Sequence, residues 1–268
     1  MNERECAHMK YLKLIVMIIF AILITAGRAA AGGPFGPPQS VVKGAGGLHT
    51  GIGYWFHEDK YKNGTEQVTR QNQVYSEVGY GFRNGWEMTA RFGMSDLEII
   101  DAFHSSTASM ATCRQNFEEY GKFFGTVGAK GFYPLNKTFG MGVFIQGSYY
   151  FSDFTDSVSG TRSGAPFSVE LEVKNLWDMN FGMGFQANVP YGIKMYLGPY
   201  VHYSEFKVSP SADISGIALA SRKTSMKNKT GFGGLTGIEV PLVKGFRLNL
   251  EGQYTETFSV GAAVLYVY

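Results

Sequence analysis

The side chains of this sequence that could act together chemically are carboxylates and the histidine or arginine side chains that could pair with them. Asp178 and His202 have the residue types of an acid–base pair, since imidazole exchanges protons near neutral pH and a carboxylate can orient it. Glu77, Arg91 and Glu251 could join a polar network by ion pairing. Residue type alone assigns none of these roles, because each depends on whether the fold brings the groups together.

Motifs for the common catalytic chemistries are missing from the sequence. It contains no Walker A, G-x-S-x-G or H-E-x-x-H motif and no Cys/His cluster, so we expect no catalytic residues, no metal and no cofactor. Cys6 falls in a predicted signal peptide, which leaves Cys113 without an intramolecular disulfide partner. We interpret Cys113 as a loop thiol.

Residues 168–189, which include Asp178, form the clearest structural element in the sequence. Odd positions are mostly apolar and even positions mostly polar or glycine, with a break at Asn175 and Leu176. A period of two predicts a β-strand, because a helix would mix the two sets. The strand is far longer than the roughly five or six residues usual in soluble sheets. We predict that its odd face, from Val169 to Val189, contacts hydrocarbon.

The rest of the chain repeats this alternation and predicts ten strands, with eight to twelve as the range. Long polar stretches, interpreted as loops, alternate with short turns, apart from one tight turn at 255–257. Such sorting is typical of membrane barrels, with short turns in the periplasm and long loops outside. We therefore predict an all-β, antiparallel up-and-down transmembrane β-barrel over residues 44–268. The long stretches are 57–67, 95–116, 152–167 and 205–229.

Glycine-closed turns set the register between neighbouring strands. The turn at 83–85 places Glu77 opposite Arg91, and the turn at 190–192 makes Asp178 and His202 diagonal neighbours. Inward positions carry both signs of charge, with Glu251 among the acidic ones. Because buried charges are costly unless paired, we predict a narrow or plugged lumen centred on Glu77 and Arg91.

The N-terminal residues predict export. Two lysines precede an apolar run at 14–24, and three alanines follow at 29–31, so we predict a signal peptide over 1–31, with Met9 as an alternative start. Residues 32–43 are rich in Gly and Pro and predict a flexible leader. Removing 1–31 leaves 20 basic and 20 acidic residues of the original 24 and 22. This balance gives no indication of nucleic-acid binding.

The sequence after Gly32 resembles the bacterial outer-membrane β-barrel family, in particular its small porin-like and OmpA-like members. The resemblance lies in the signal peptide, the two-residue repeat, Trp55, Trp86 and Trp177 near strand ends, and the apolar alternation at 263–268. It implies a Gram-negative-type outer membrane, contact with outer-membrane lipid, and recognition by the barrel-assembly machinery. Tyr266 and Tyr268 would carry that assembly signal.

Three classes of function remain open. The first is a structural or surface-interaction barrel with a narrow or plugged lumen, whose long loops could bind an extracellular ligand. The second is porin-like passage of small solutes. The third is an omptin-like or lipid-modifying hydrolase, since Asp178 and His202 resemble the omptin proteases in residue type and depth. We expect the first class and no enzyme activity.

Overall fold

A computed structural model describes most of the chain after the predicted signal peptide. The predicted signal peptide and Cys113 lie outside the described residues. Within the described part of the chain, no helix is long and apolar enough to cross a membrane. The described residues are 33–41, 45–63, 65–83, 85–103, 110–112, 114–162, 164–214, 217–219, 224–228 and 231–268.

The described residues form fourteen β-strands, and one short 3-10 turn (Pro190–Gly192) precedes the ninth strand. The strands are β1 (Leu48–Asn63), β2 (Thr65–Arg83), β3 (Trp86–Ile99), β4 (Met110–Thr112), β5 (Phe117–Pro134), β6 (Phe139–Tyr150), β7 (Phe154–Arg162), β8 (Ala165–Asn188), β9 (Lys194–Ile214), β10 (Ile217–Leu219), β11 (Thr224–Asn228), β12 (Gly231–Pro241), β13 (Phe246–Tyr254) and β14 (Phe258–Val267).

Ten of these strands close into an antiparallel barrel. The order around the ring is β1, β2, β3, β5, β6, β8, β9, β12, β13 and β14, and β14 pairs again with β1. This confirms the predicted fold class and strand number. The short turns that join β2 to β3, β5 to β6, β8 to β9 and β12 to β13 lie at one end of the barrel, together with Leu48 and Val267. We call this the terminal end. The opposite end is the loop end.

Three of the short turns end on glycine with a left-handed backbone. Gly85, Gly192 and Gly245 have φ values of 78°, 75° and 88°, a region that costs other residues about 1–2 kcal/mol. The turn ending at Gly85 places Glu77 opposite Arg91, as predicted, although a bulge next to the turn shifts the final pair of the ladder. Turn chemistry therefore sets the barrel register, as the sequence indicated.

The outer surface of the barrel is an apolar belt, and the inner surface is polar. This is the reverse of a soluble barrel and defines a transmembrane barrel. Aromatic side chains lie at both margins of the belt, with Trp86 at the terminal end and Trp177, whose ring is 5.2 Å from that of Tyr203, at the loop end. Exposed belt residues include Ile52, Val74, Val78, Met88, Phe92, Val127, Ile145, Phe181, Leu197 and Phe232.

Trp55 does not belong to these aromatic margins, so its predicted position is wrong. Its side chain is 0% exposed and lies inside the barrel. Trp55 shares the face of His49, which is also buried in the lumen, because residues an even number apart lie on one side of a strand. Gly261 makes room for the indole: a Cβ on Gly261 would lie 2.1 Å from it.

The sheet continues beyond the belt at the loop end, where we call it the platform. The platform consists of β4, β7, β10 and β11 and the outer parts of β1, β2, β3, β5, β8 and β9. The described parts of the predicted long loops are thus mostly β-strands, which corrects that interpretation. Strand β11 pairs with both β1 and β9 and so bypasses the shorter β12, β13 and β14.

The two faces of β8 change character at Asn175. Before Asn175, toward the loop end, the inner face is apolar, and after it the inner face is polar and the outer face apolar. Asn175 has a φ of 52°, and the ladder between β8 and β9 is interrupted between Lys174 and Trp177. A one-residue irregularity moves all following side chains to the opposite face. Odd positions of β8 therefore face lipid only after Asn175, whereas Leu171 and Val173 point inward and are buried. The prediction of one continuous lipid face from Val169 onward is therefore wrong for residues 169–173, on the loop-end side of the bulge.

The inward side chains of the platform and of the adjoining lumen form an apolar cluster, the platform core. This core explains why the platform does not need a lipid environment: its outward positions on β7, such as Ser157 and Ser159, are exposed and polar. The buried members are Trp55, Tyr61, Tyr75, Leu97, Ile99, Phe103, Phe117, Phe124, Tyr150, Phe154, Val158, Leu171, Val173, Leu176, Phe206 and Met226.

Candidate functional site

The lumen at the terminal end contains residues 33–41 of the chain itself, which we call the plug. Residues 33–38 are all buried, and Phe35 and Val41 are 7% and 3% exposed. A flexible leader was predicted over 32–43, and the structure differs in its described part. Gly and Pro favour an extended segment without a ladder, but inside a polar lumen its backbone groups find side-chain partners.

Two buried glutamates hold the two ends of the plug by its N–H groups. Glu251 accepts hydrogen bonds from the backbone N–H of Phe35 at 3.0 and 3.1 Å and of Gly36 at 2.8 Å. Glu87 accepts from the backbone N–H of Val41 and the hydroxyl of Ser40, both at 2.8 Å. Hydrogen bonds to an ionised acceptor are about twice as strong as neutral ones.

Cationic and amide side chains bind the carbonyl groups of the plug. Arg91 donates to the Pro34 carbonyl at 2.6 Å, and Lys130 donates to that of Pro37 at 3.3 Å. The side-chain amides of Gln146 and Gln253 both donate to the Gly33 carbonyl, each at 3.3 Å.

The aromatic ring of Phe35 occupies an apolar pocket in the lumen wall. It stacks on Phe144 with ring centroids 4.1 Å apart and meets Tyr200 edge-on at 5.9 Å. Tyr196 and Leu235 complete this buried cluster. The pocket gives the plug one side chain that is bound by shape, in addition to contacts with its backbone.

The ion pair predicted between Glu77 and Arg91 is present next to the plug. Arg91 Nε donates to a Glu77 oxygen, and its guanidinium also donates to Gln146 Oε1 at 3.0 Å. His49 Nε2 lies 3.0 Å from the other oxygen of Glu77, and Arg91 lies over the Tyr75 ring at 5.0 Å. Arg91 thus joins the barrel wall to the plug.

Glu251 was predicted as part of the same network, but the structure gives it different partners. No ion pair within the described residues includes Glu251. Besides the plug N–H groups, it accepts from the Tyr196 hydroxyl at 2.8 Å and from Gln253 at 2.7 Å. Its role in the structure is therefore to bind donors of the plug and of the wall.

Other inward charges form pairs near the terminal end. Lys130 Nζ is 3.1 Å from Glu87, and Glu239 lies 3.0 Å from Lys194 and 2.7 Å from Arg247. Pairing of opposite charges across a narrow tube limits the cost of burying them. The lumen wall is therefore both charged and closely occupied.

Asp178 and His202 lie near each other in a second polar cluster, without a direct hydrogen bond. Asn180 connects them, since its amide donates to Asp178 at 3.1 Å and its carbonyl oxygen is 2.7 Å from His202 Nδ1. His202 Nε2 instead lies 3.3 Å from Asp59 of β1. Sequence reasoning missed Asp59, because register predicts only neighbours on paired strands and β1 does not pair with β9.

The space beside Asp59 and His202 is small. A recess of about 10 Å³ adjoins this pair and is lined by residues that include Gly231 and Thr255. Asp59 and His202 are 6% and 1% exposed. Within the described residues, no group of three or more His, Cys, Asp or Glu side chains is placed to hold a metal ion.

Tyr266 and Tyr268, the residues of the predicted assembly signal, lie where the barrel closes. The backbone N–H of Tyr268 donates to the Leu48 carbonyl at 3.1 Å. The Tyr266 ring is 4.9 Å from those of Phe246 and Tyr268. These contacts form part of the aromatic margin at the terminal end, and the assembly role itself stays a prediction.

A closed ring of ten antiparallel strands with an apolar belt outside and a filled polar lumen defines a transmembrane β-barrel protein. No family model matches the sequence, and no curated protein is similar to it in sequence.

Solved structures of similar shape include three bacterial barrels. The translocator domain of the autotransporter NalP from Neisseria meningitidis has a TM-score of 0.49 and 13% identity, covering 84% of this chain and 89% of that chain. The outer membrane protease OmpT from Escherichia coli has a TM-score of 0.45 and 10% identity, covering 85% and 100%. The COG4313 outer membrane channel from Pseudomonas putida F1 has a TM-score of 0.44 and 11% identity, covering 89% and 100%.

Proposed function

We propose that this protein is a closed outer-membrane barrel with a structural or surface-interaction role and no permanent channel. The apolar belt contacts outer-membrane lipid. The terminal end, with its short turns, faces the periplasm, and the platform extends outside the cell. The proposed location is a Gram-negative-type outer membrane, whose barrels have this sidedness.

The observation that carries the proposal is the filling of the lumen at two successive levels. The plug and its charged partners occupy the terminal end, and the cavity between the plug, Glu77 and Arg91 is about 10 Å³, near the minimum space for one water. The platform core fills the loop end with packed aromatic and aliphatic side chains. A solute would have to displace both, so continuous passage has no support.

The platform supports the surface-interaction role. It has its own apolar core and a polar outer surface, so it can stay folded in water beyond the lipid. Its short strands β4 and β10 each pair on one side only among the described strands, and unpaired strand edges are common binding sites for extended segments. A platform with its own packed core above a closed barrel is suited to binding a partner outside the cell.

Asp178 and His202, the residues that raised the hydrolase alternative, do not favour it, and neither does Asp59 beside His202. All three side chains are buried, and the recess next to Asp59 and His202 has space for about one water molecule. A substrate would need an accessible pocket, which ligand sites provide at roughly 300–1,000 Å³.

Two measurements test the proposal. Single-channel recording of the purified protein in planar bilayers should show no stable openings, and sustained nanosiemens currents would move solute passage to first place. For orientation, Ser159→Cys and Lys137→Cys are made in a Cys113→Ala background and exposed to a membrane-impermeant maleimide. Ser159→Cys should react in intact cells and Lys137→Cys only after the outer membrane is permeabilised. The reverse labelling would contradict the orientation.

A further inference from the structure

We propose that the terminal end of the lumen is a binding site for an extended peptide and that the plug is its tethered, exchangeable ligand. The chemical class of the ligand is an uncharged, Gly/Pro-rich segment with one aromatic side chain, bound mainly by its backbone. A peptide of residues 33–41 supplied as a separate molecule would then occupy the site when the plug is absent. This inference does not depend on the function outside the cell.

The site binds both the N–H groups and the carbonyl groups of a peptide backbone. Glu251 and Glu87 are 2% and 0% exposed and accept N–H groups of the plug. Arg91 and Lys130 are 8% and 6% exposed and donate to its carbonyl groups. Buried side chains that accept from the N–H groups and donate to the carbonyl groups of one main chain form a built site, because burial removes the hydrogen bonds that water would provide.

The lumen wall is also shaped for particular side chains of the plug. The Phe35 ring fits the pocket of Phe144 and Tyr200 described above. Pro38 lies against two wall glycines: a Cβ on Gly142 or Gly184 would come within 2.9 or 2.7 Å of it. Wall positions without side chains at the point where the proline ring lies indicate complementarity to this peptide.

The plug is separable because the barrel does not use it to complete its sheet. Within the described residues, no backbone-to-backbone hydrogen bond joins residues 33–41 to a strand, and the plug belongs to no ladder. The ten-stranded ring closes between β14 and β1 independently of the plug. Removing it exposes charged side chains to water entering from the terminal end and leaves every strand pair in place.

The first experiment uses a barrel that lacks residues 33–41, folded in lipid vesicles. A labelled peptide of sequence GPFGPPQSV should bind saturably with one peptide per barrel and raise the urea midpoint. Peptides with Phe35→Asp should bind about tenfold more weakly or worse, since the aromatic pocket cannot hold a carboxylate beside Glu251. Glu251→Gln in the barrel should weaken the parent peptide similarly, because hydrogen bonds to a charged acceptor are the strong ones.

A second variant keeps the test decisive if the shortened barrel does not fold. A protease site is inserted at 42–44 of the full chain, the protein is folded, and the connection is then cut. We expect excess labelled peptide to replace the cut plug, as followed by fluorescence anisotropy. Retention of the original plug without exchange, or binding that is equal for the parent and Phe35→Asp peptides, would overturn the proposal.

Discussion

Glu251 accepts the backbone N–H of Phe35 at 3.0 and 3.1 Å, although the two residues are 216 positions apart in the sequence. This contact joins the first described segment of the chain to β13, the second-last strand. It places the plug inside the barrel and gives a buried carboxylate its donors. The position of the plug in the lumen is thus a product of contacts between distant parts of the chain.

Replacing either member of the Glu77 and Arg91 pair should destabilise the barrel. Arg91→Ala leaves the Glu77 charge buried and removes the donor to the Pro34 carbonyl, so we expect a loss of about 3–5 kcal/mol in urea titrations of protein in lipid vesicles. Combining it with Glu77→Ala should recover part of that loss. Lys122→Ala removes a partly exposed pair with Glu119, 3.4 Å away, and should cost under about 1 kcal/mol. Strictly additive losses for Glu77 and Arg91 would show that the two side chains are not coupled.

The lipid-facing side of β8 is tested at Phe181. The side chain is 57% exposed in the apolar belt, so Phe181→Arg should cost about 2–4 kcal/mol near the bilayer midplane. Phe181→Leu keeps an apolar side chain toward lipid and serves as the matched control. Equal unfolding midpoints for the two variants would mean that position 181 does not face lipid.

The platform core is tested at Phe206. This residue is 1% exposed, and its ring meets Tyr61 edge-on with centroids 4.5 Å apart. Phe206→Ala should cost about 3–5 kcal/mol, whereas the neighbouring exposed Lys207→Ala should stay within about 0.5 kcal/mol. Protease digestion of intact cells should also cut the platform of the Phe206→Ala variant faster. A mild effect of Phe206→Ala would indicate that the platform has no packed core.

The bulge at Asn175 makes a prediction about backbone conformation. A β-branched residue is strongly disfavoured at a φ of 52°. Asn175→Val should therefore cost about 1–2 kcal/mol, whereas Asn175→Gly should be tolerated, since glycine adopts this conformation readily. The comparison is made by urea unfolding in vesicles. A stable Asn175→Val variant would argue against the bulge and the polarity exchange that depends on it.

Tyr268 should affect assembly more than stability. Deleting it removes the predicted assembly signal and the hydrogen bond to the Leu48 carbonyl, so the folded fraction in membranes should fall. Heat-modifiable migration on gels measures this fraction. Tyr268→Phe keeps the aromatic ring and is expected to assemble like the parent. Unchanged amounts of folded protein after the deletion would remove Tyr268 from the signal.

The sequence alone determined the barrel, the number of strands in its ring and the register of the two hairpins whose turns lie at 83–85 and 190–192. Those properties depend on local patterns: the two-residue alternation selects faces, and glycine-closed turns set which residues lie opposite one another. Glu77 therefore could be paired with Arg91, and His202 placed near Asp178, from the chain alone. Both pairs lie on strands joined by a single short turn.

The tertiary structure decided what fills the lumen and where the apolar belt ends. Glu251 meets Phe35, and His202 meets Asp59, across the interior, and no local pattern encodes contacts between strands that are not paired. Leu171 and Val173 follow the same alternation as Phe181, yet a single bulge at Asn175 sends them inward. An apolar side chain is buried equally well by lipid or by a packed core, so alternation predicts a strand without saying which of the two covers it.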